Sequence, residues 1–278
     1  MIHRLRNDKK AVTPAISTVI ITSTIVVLLL VTVIFANNYM NARIAENEFS
    51  AMEQFMQTVG QQIDDVAWTV GRTQTMRYAS QFGQITFGTA NLTYALYVNG
   101  ANTPNVSFTT GALFFNMPTG SYNIANNYME LISPTSNSSF LVQGTTAPVS
   151  HVFVIERVPM KDGSYVRVVV APSIRMLNST VANTGYYNFY LPILQPSGNN
   201  LHISQSVTLM ATAFNVQTVQ NVKEINITVA FPQTSPALGG FDSTFFDFNS
   251  SQADLHVPAG SSLEFYTGNV TVAIGEYA

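Results

Sequence analysis

The sequence predicts an α+β protein: a long N-terminal membrane-spanning helix continuing into an amphipathic stalk, then an antiparallel, all-β, sandwich-like head. Three observations carry this. Residues 11–42 hold no charge. Apolar residues then recur at spacings of three and four as far as Val70. From about Phe82 the period drops to two, in short runs separated by Gly, Pro, Asn and Ser. The first periodicity is that of one helix face, the second that of a half-buried strand.

Composition narrows the function classes. The chain has 278 residues, 46% hydrophobic and only 10% charged, against about 25% charged in an ordinary soluble domain. A net charge of −3 leaves no basic footprint, so nucleic acid is not an expected partner. Without cysteine there is no disulfide framework and no thiolate metal site. Asn, Ser and Thr together exceed a quarter of the residues, a surface made polar without ions.

Taken in order, residues 1–10 form a basic leader with Arg4, Arg6, Lys9 and Lys10. Residues 11–36 are the transmembrane helix. Within 15–36 the polar members are Ser17, Thr18, Thr22, Ser23, Thr24 and Thr32, hydroxyls that can bond back to helical carbonyls. At 1.5 Å per residue this stretch is roughly 33 Å long, enough for a hydrocarbon core of about 30 Å. The positive leader places the N-terminus in the cytoplasm and the head outside. A cleaved secretory signal would have a shorter apolar run and a small-x-small site. Residues 37–41 (Asn-Asn-Tyr-Met-Asn) offer none.

Residues 37–80 form the amphipathic helical stalk. Ala42, Ala45, Phe49, Met52, Met56, Val59, Ile63, Val66 and Val70 make the apolar stripe, and Glu46, Glu48, Glu53 and Asp64 fill other faces. Gly60 and Gly71 each weaken the helix by about 1 kcal/mol relative to Ala, and Gly71 is a plausible end. The stripe admits two partners: the protein's own head, or neighbouring subunits.

Lys9-Lys10-Ala11-Val12-Thr13-Pro14-Ala15-Ile16-Ser17-Thr18 resembles the start of archaeal type IV pilin-like proteins, with their class III signal peptide. The resemblance covers roughly residues 4–36 and more loosely the stalk. It implies cleavage by a prepilin-type peptidase between Lys10 and Ala11, on the cytoplasmic side of the helix. It also implies packing of that helix with other pilin-like subunits, by an assembly machinery, into a cell-surface pilus. Pro14 would then sit in the first turn, where its missing N–H costs nothing. Bacterial type IV pilins carry a glutamate where this chain has Ala15, so the charge pairing that glutamate makes during assembly is absent. The Gly-rich opening of an archaellin is also lacking.

Residues 81–278 form the head. Strands are expected at 84–87, 91–98, 111–117, 128–132, 150–158, 164–171, 186–194, 207–219, 222–231, 262–266 and 270–274, with Asp162-Gly163 as a hairpin turn. They imply one antiparallel sandwich or two in series, with a possible subdivision near 145–148. Seven Asn-x-Ser/Thr sequons occur, all in the head: Asn91, Asn105, Asn137, Asn178, Asn226, Asn249 and Asn269. They are candidate glycosylation sites. Asn226, on a strand, is the poorest of them.

No catalytic constellation emerges, and no cofactor is expected. His3, His151, His202 and His256 are scattered, and Glu130, Glu156 and Glu224 lie apart. Asp242, Asp247 and Asn249 supply oxygen ligands of the kind that hold Ca²⁺ in a loop, although the spacing fits no EF-hand. The expected function is a non-enzymatic pilin-like structural subunit. The alternative is a membrane-anchored extracytoplasmic protein that binds carbohydrate or another surface ligand. The cluster Tyr186, Tyr187, Phe189 and Tyr190 is its one sequence hint, and strand alternation would turn half of that cluster inward.

Overall fold

The structure, a computed structural model, describes residues 9–87, 92–100, 102–125, 128–134, 141–156, 164–198, 205–230 and 252–275. Among these, one helix, α1 (Lys9–Ala67), precedes thirteen strands. The first seven are β1 (Thr73–Arg77), β2 (Gln84–Phe87), β3 (Leu92–Val98), β4 (Val106–Thr110), β5 (Leu113–Pro118), β6 (Met129–Ser133) and β7 (Leu141–Gln143). The rest are β8 (Ser150–Glu156), β9 (Tyr165–Pro172), β10 (Ile174–Val181), β11 (Thr184–Pro196), β12 (Ser206–Ala230) and β13 (Gln252–Gly275). The chain divides into two units, one up to Asn47 and one from Glu48 onward. The division falls inside the expected stalk, so residues 48–80 are part of the head.

The head holds two sheets. The larger runs β4-β3-β12-β13-β11-β10-β7, with β1 also on β12; the smaller runs β2-β5-β9-β8-β6. Neither closes into a barrel. The expectation of a purely antiparallel head is corrected: β11 pairs with β13 in parallel, Tyr186 opposite Ser262 through Pro196 opposite Val272. β10 likewise pairs with β7 in parallel. The cause is topological. β13 enters between β11 and β12, antiparallel to β12 but running the same way as β11. Inward–outward alternation is the same in both kinds of strand, so periodicity carries no orientation.

Two expected breaks are continuous strand. Asn221, with φ of 59°, sits in a register shift between Val219 and Val222, a bulge that absorbs the left-handed residue without ending β12. Gly268 in β13 marks a close approach: a Cβ there would collide with the Ala67 carbonyl. β1, β4, β7 and β10 were not expected. β10 and β11 form a hairpin closed at Val181 opposite Thr184, with Ala182 (φ 49°) and Asn183 (φ 67°) as its two-residue turn. Such turns favour Asn-Gly or Asp-Gly, so Ala-Asn hid it. Strands from both sides of 145–148 interleave in both sheets: β12 pairs with β3, and β9 with β5. The head is therefore one body.

The core between the sheets joins Phe114, Phe153, Ile155 and Val169 of the smaller sheet to Phe189, Leu191, Leu263 and Phe265 of the larger. Each such side chain contributes roughly 1.5–3 kcal/mol by leaving water. Residues 48–67 of α1 lie on the smaller sheet. Phe49 meets Phe115 at 6.2 Å between ring centroids, and the Ser150 hydroxyl donates to the Gly60 carbonyl at 2.7 Å. A Cβ on Gly60 would lie 3.1 Å from Val152, so glycine there lets the helix approach the sheet.

Candidate functional site

The first candidate surface is the apolar length of α1 before Asn47. From Ile16 (54% exposed) through Phe35 (72%) to Ile44 (42%), its large hydrophobic side chains stand open. Three of its threonine hydroxyls bond back to the helix itself. The hydroxyls of Thr24 and Thr32 donate to the carbonyls of Ile20 and Leu28 at 2.8 and 2.7 Å, and Thr22 bonds back to Thr18. Among the described residues this is the one helix long and apolar enough to cross a membrane. The first charges after it are Arg43 and Glu46, an ion pair at 2.6 Å. The Arg43 guanidinium also lies over Tyr39 at 5.4 Å. An aromatic and a cation one turn apart suit the headgroup boundary. The protein is thus membrane-anchored by one N-terminal helix and carries a folded β domain.

The stripe has a different fate. Phe49, Met52, Met56, Val59, Ile63 and Val66 are 0–2% exposed, leaving no surface for a neighbouring subunit. Of the two partners open to the stripe, the head takes these six. Val70 lies past the end of the helix and is 57% exposed. Lys9, Lys10 and Ala11 fall within α1.

Of the sequon asparagines, Asn105 and Asn178 are exposed. The Asn105 carboxamide oxygen accepts from the Val98 amide at 2.9 Å. Asn226 donates its side-chain amide to Asp254, and the Asn269 carboxamide oxygen is enclosed. Asn91, Asn137 and Asn249 lie outside the described residues, as do Asp242 and Asp247 of the calcium hypothesis. Among the described residues no three His, Asp or Glu side chains gather as a metal site. His151 is buried and stacked on Phe153; His3 and His202 are outside the described set.

The tyrosine cluster divides as alternation requires. Phe189 is in the core and Tyr187 packs against it. Tyr186 and Tyr190 turn to the opposite face. There Tyr190 stacks on Tyr266 at 4.7 Å, Trp68 meets Tyr190 edge-on at 5.4 Å, and Arg175 covers Tyr190 at 5.0 Å. Asp64 ties this group together, accepting from Trp68 Nε1 at 2.7 Å and from Arg175 at 3.1 Å. Tyr266 donates to Glu264, which pushes its pKa up to about 12.

A polar cleft was not legible in the sequence. It encloses about 330 Å³ and is lined from four stretches of the head: Tyr78 with residues 80–84, Asn116 with Pro118, Tyr165, and Gln205. Its wall is the 80–83 turn, held by Glu48. This carboxylate accepts the backbone N–H of Gln81 (2.8 Å), Phe82 (3.0 Å) and Gly83 (3.2 Å), and the Ser80 hydroxyl. Successive amides converging on one anion form a nest. Glu48 reads in sequence as a solvent-facing stalk charge. Nothing in its spacing announces a partner more than thirty residues away.

No protein-family model, curated protein or solved structure matches the chain.

Proposed function

We propose that the protein is a non-enzymatic, pilin-like subunit whose N-terminal apolar helix serves first as membrane anchor and then as assembly element. The supporting observation is the uncharged helix surface between residues 16 and 36, open on every side, with its threonine hydroxyls bonded internally. Such a surface finds its complement in lipid or in other helices of the same kind. Helix association in lipid draws on packing rather than on expulsion of water. A helix without ions leaves none unpaired when lipid is exchanged for protein.

In this reading the basic leader stays cytoplasmic and the head lies outside the cell. A prepilin-type peptidase cuts between Lys10 and Ala11. Among the described residues, Asn105 and Asn178 are the exposed sequons, open to glycosylation. Because the buried stripe from Phe49 to Val66 belongs to the head, contact between copies falls to the helix before Asn47. Amino-terminal sequencing of membrane and sheared fractions tests the reading, together with electron microscopy of the sheared material. A chain beginning at Ala11 and visible filaments are expected. A chain beginning at Met1 and confined to membranes would leave the alternative, a tethered extracytoplasmic binding protein, which the polar cleft favours.

A further inference from the structure

We propose that the cleft beneath the 80–83 turn is a binding site for a neutral carbohydrate, of mono- or disaccharide size. The inference holds whether or not copies of the chain polymerise. Its volume, about 330 Å³, lies at the small end of ligand pockets, which span about 300–1,000 Å³.

The lining chemistry selects the ligand. Three aromatic residues, Tyr78, Phe82 and Tyr165, are among those that line the cleft. An aromatic face meets the C–H face of a sugar ring without needing charge. Gln81, Gln84, Asn116 and Gln205 also line the cleft and bring carboxamide side chains to it. Each has both a donor and an acceptor end, which is what a hydroxyl, itself donor and acceptor, requires. None of the lining residues carries an ionised side chain. The nearby Glu48 carboxylate is committed to the turn. A charged ligand would leave water here with no counter-charge among the lining residues, at a large desolvation cost.

The four carboxamides divide into two sets. Two are fixed walls. Gln205 donates to the Ser80 carbonyl and accepts from the Ser80 amide, both at 2.8 Å. Asn116 accepts from Arg167 Nε at 2.7 Å and donates to Thr86 at 2.8 Å. The other two, Gln81 and Gln84, are exposed at the rim, and their side-chain amides make no hydrogen bond among the described residues. They are the groups left to engage a ligand. The wall is also preformed: Gly83 abuts the Phe115 ring too closely for a Cβ, and the Arg167 guanidinium lies 5.0 Å from the centre of the Tyr165 ring. A preformed site spends little binding free energy on ordering itself.

A peptide fits less well. β2 is the edge of the smaller sheet, but the Ile85 N–H donates to the Tyr78 hydroxyl at 3.3 Å. This obstructs addition of a strand along that edge.

The test is saturation-transfer NMR on the full chain in a detergent with a phosphocholine headgroup, which contributes no sugar. The probes are methyl β-glucoside, methyl α-mannoside and N-acetylglucosamine, with glucuronate and glucosamine as charged controls. Transfer to at least one neutral probe and none to the charged pair is expected. The double variant Gln81→Ala/Gln84→Ala should bind roughly tenfold more weakly, a loss of about 1.4 kcal/mol, with unchanged circular dichroism and melting midpoint. If the double variant does not fold, the single variant Gln84→Ala, at an exposed position, serves instead and should weaken binding of the neutral probes by removing one donor–acceptor group. No transfer to any neutral probe, equal transfer to charged ones, or unaltered binding in the folded variants would overturn the proposal. None of these results bears on leader cleavage or filaments, so the two proposals fail separately.

Discussion

The two lengths of α1 are built from similar apolar residues and end in opposite environments. Before Asn47, Val26, Leu29 and Phe35 are at least half exposed; after Glu48, Met56, Val59 and Ile63 are fully buried. The first length is apolar on every face, so no single neighbour within the chain can cover it. The second confines its apolar residues to one stripe and meets the smaller sheet with it. The width of the apolar surface, more than its hydrophobicity, decides whether a helix is satisfied by its own fold or needs an apolar environment outside it.

That contrast can be broken at either end. The largest effect is expected from Val59→Asp, which buries a carboxylate against the sheet with no counter-charge. It should cost about 4 kcal/mol or more and abolish the cooperative melting of the head, read by circular dichroism. Leu29→Arg should do the reverse. A cation at mid-helix costs about 3 kcal/mol on insertion, so the inserted fraction should fall in a membrane-integration assay while the head's melting midpoint is unchanged. If Leu29→Arg also melts the head, the two lengths are not independent and the comparison fails.

Glu48→Gln sharpens the boundary between them. Replacing a carboxylate that accepts three backbone amides with a carboxamide should cost the head about 2 kcal/mol, seen in urea unfolding. The smallest effect is at Glu53, whose pKa is raised by burial and, secondarily, by Glu130. A carboxyl group with a folded-state pKa above its unfolded value favours folding when protonated. That contribution is full below the unfolded pKa and is lost as pH rises through the folded one. Glu53→Gln should therefore raise the melting midpoint slightly near about pH 7 and leave it unchanged near about pH 4.

Much of this architecture could be read from residues in order, because the signals are local. Charge-free 11–42, the stripe from Phe49 to Val66 and the alternation in Val222–Ala230 each need only a window of a few turns. Three things could not be read, each for a physical reason. Strand direction in β11 and β13 depends on which strand inserts where, and alternation is blind to it. The β10–β11 turn uses Ala182 and Asn183 in left-handed conformations without the glycine that normally marks them. The cleft gathers the stretch from Tyr78 to Gln84 with Asn116, Tyr165 and Gln205, which lie far apart in the chain, so no motif joins them. Gly268 misled in an instructive way: glycine taken as punctuation was instead clearance for the end of a helix.

The central position of β13 has a consequence for how the head comes into being. It is the last strand of the described chain to leave the ribosome, yet it takes the middle of the larger sheet, hydrogen-bonded along β12 on one side and β11 on the other. Until it arrives, those two strands present waiting edges, open to any stray strand nearby. The larger sheet therefore stays unfinished from the emergence of β11 until β13 docks, with the apolar helix already made at the opposite end of the chain.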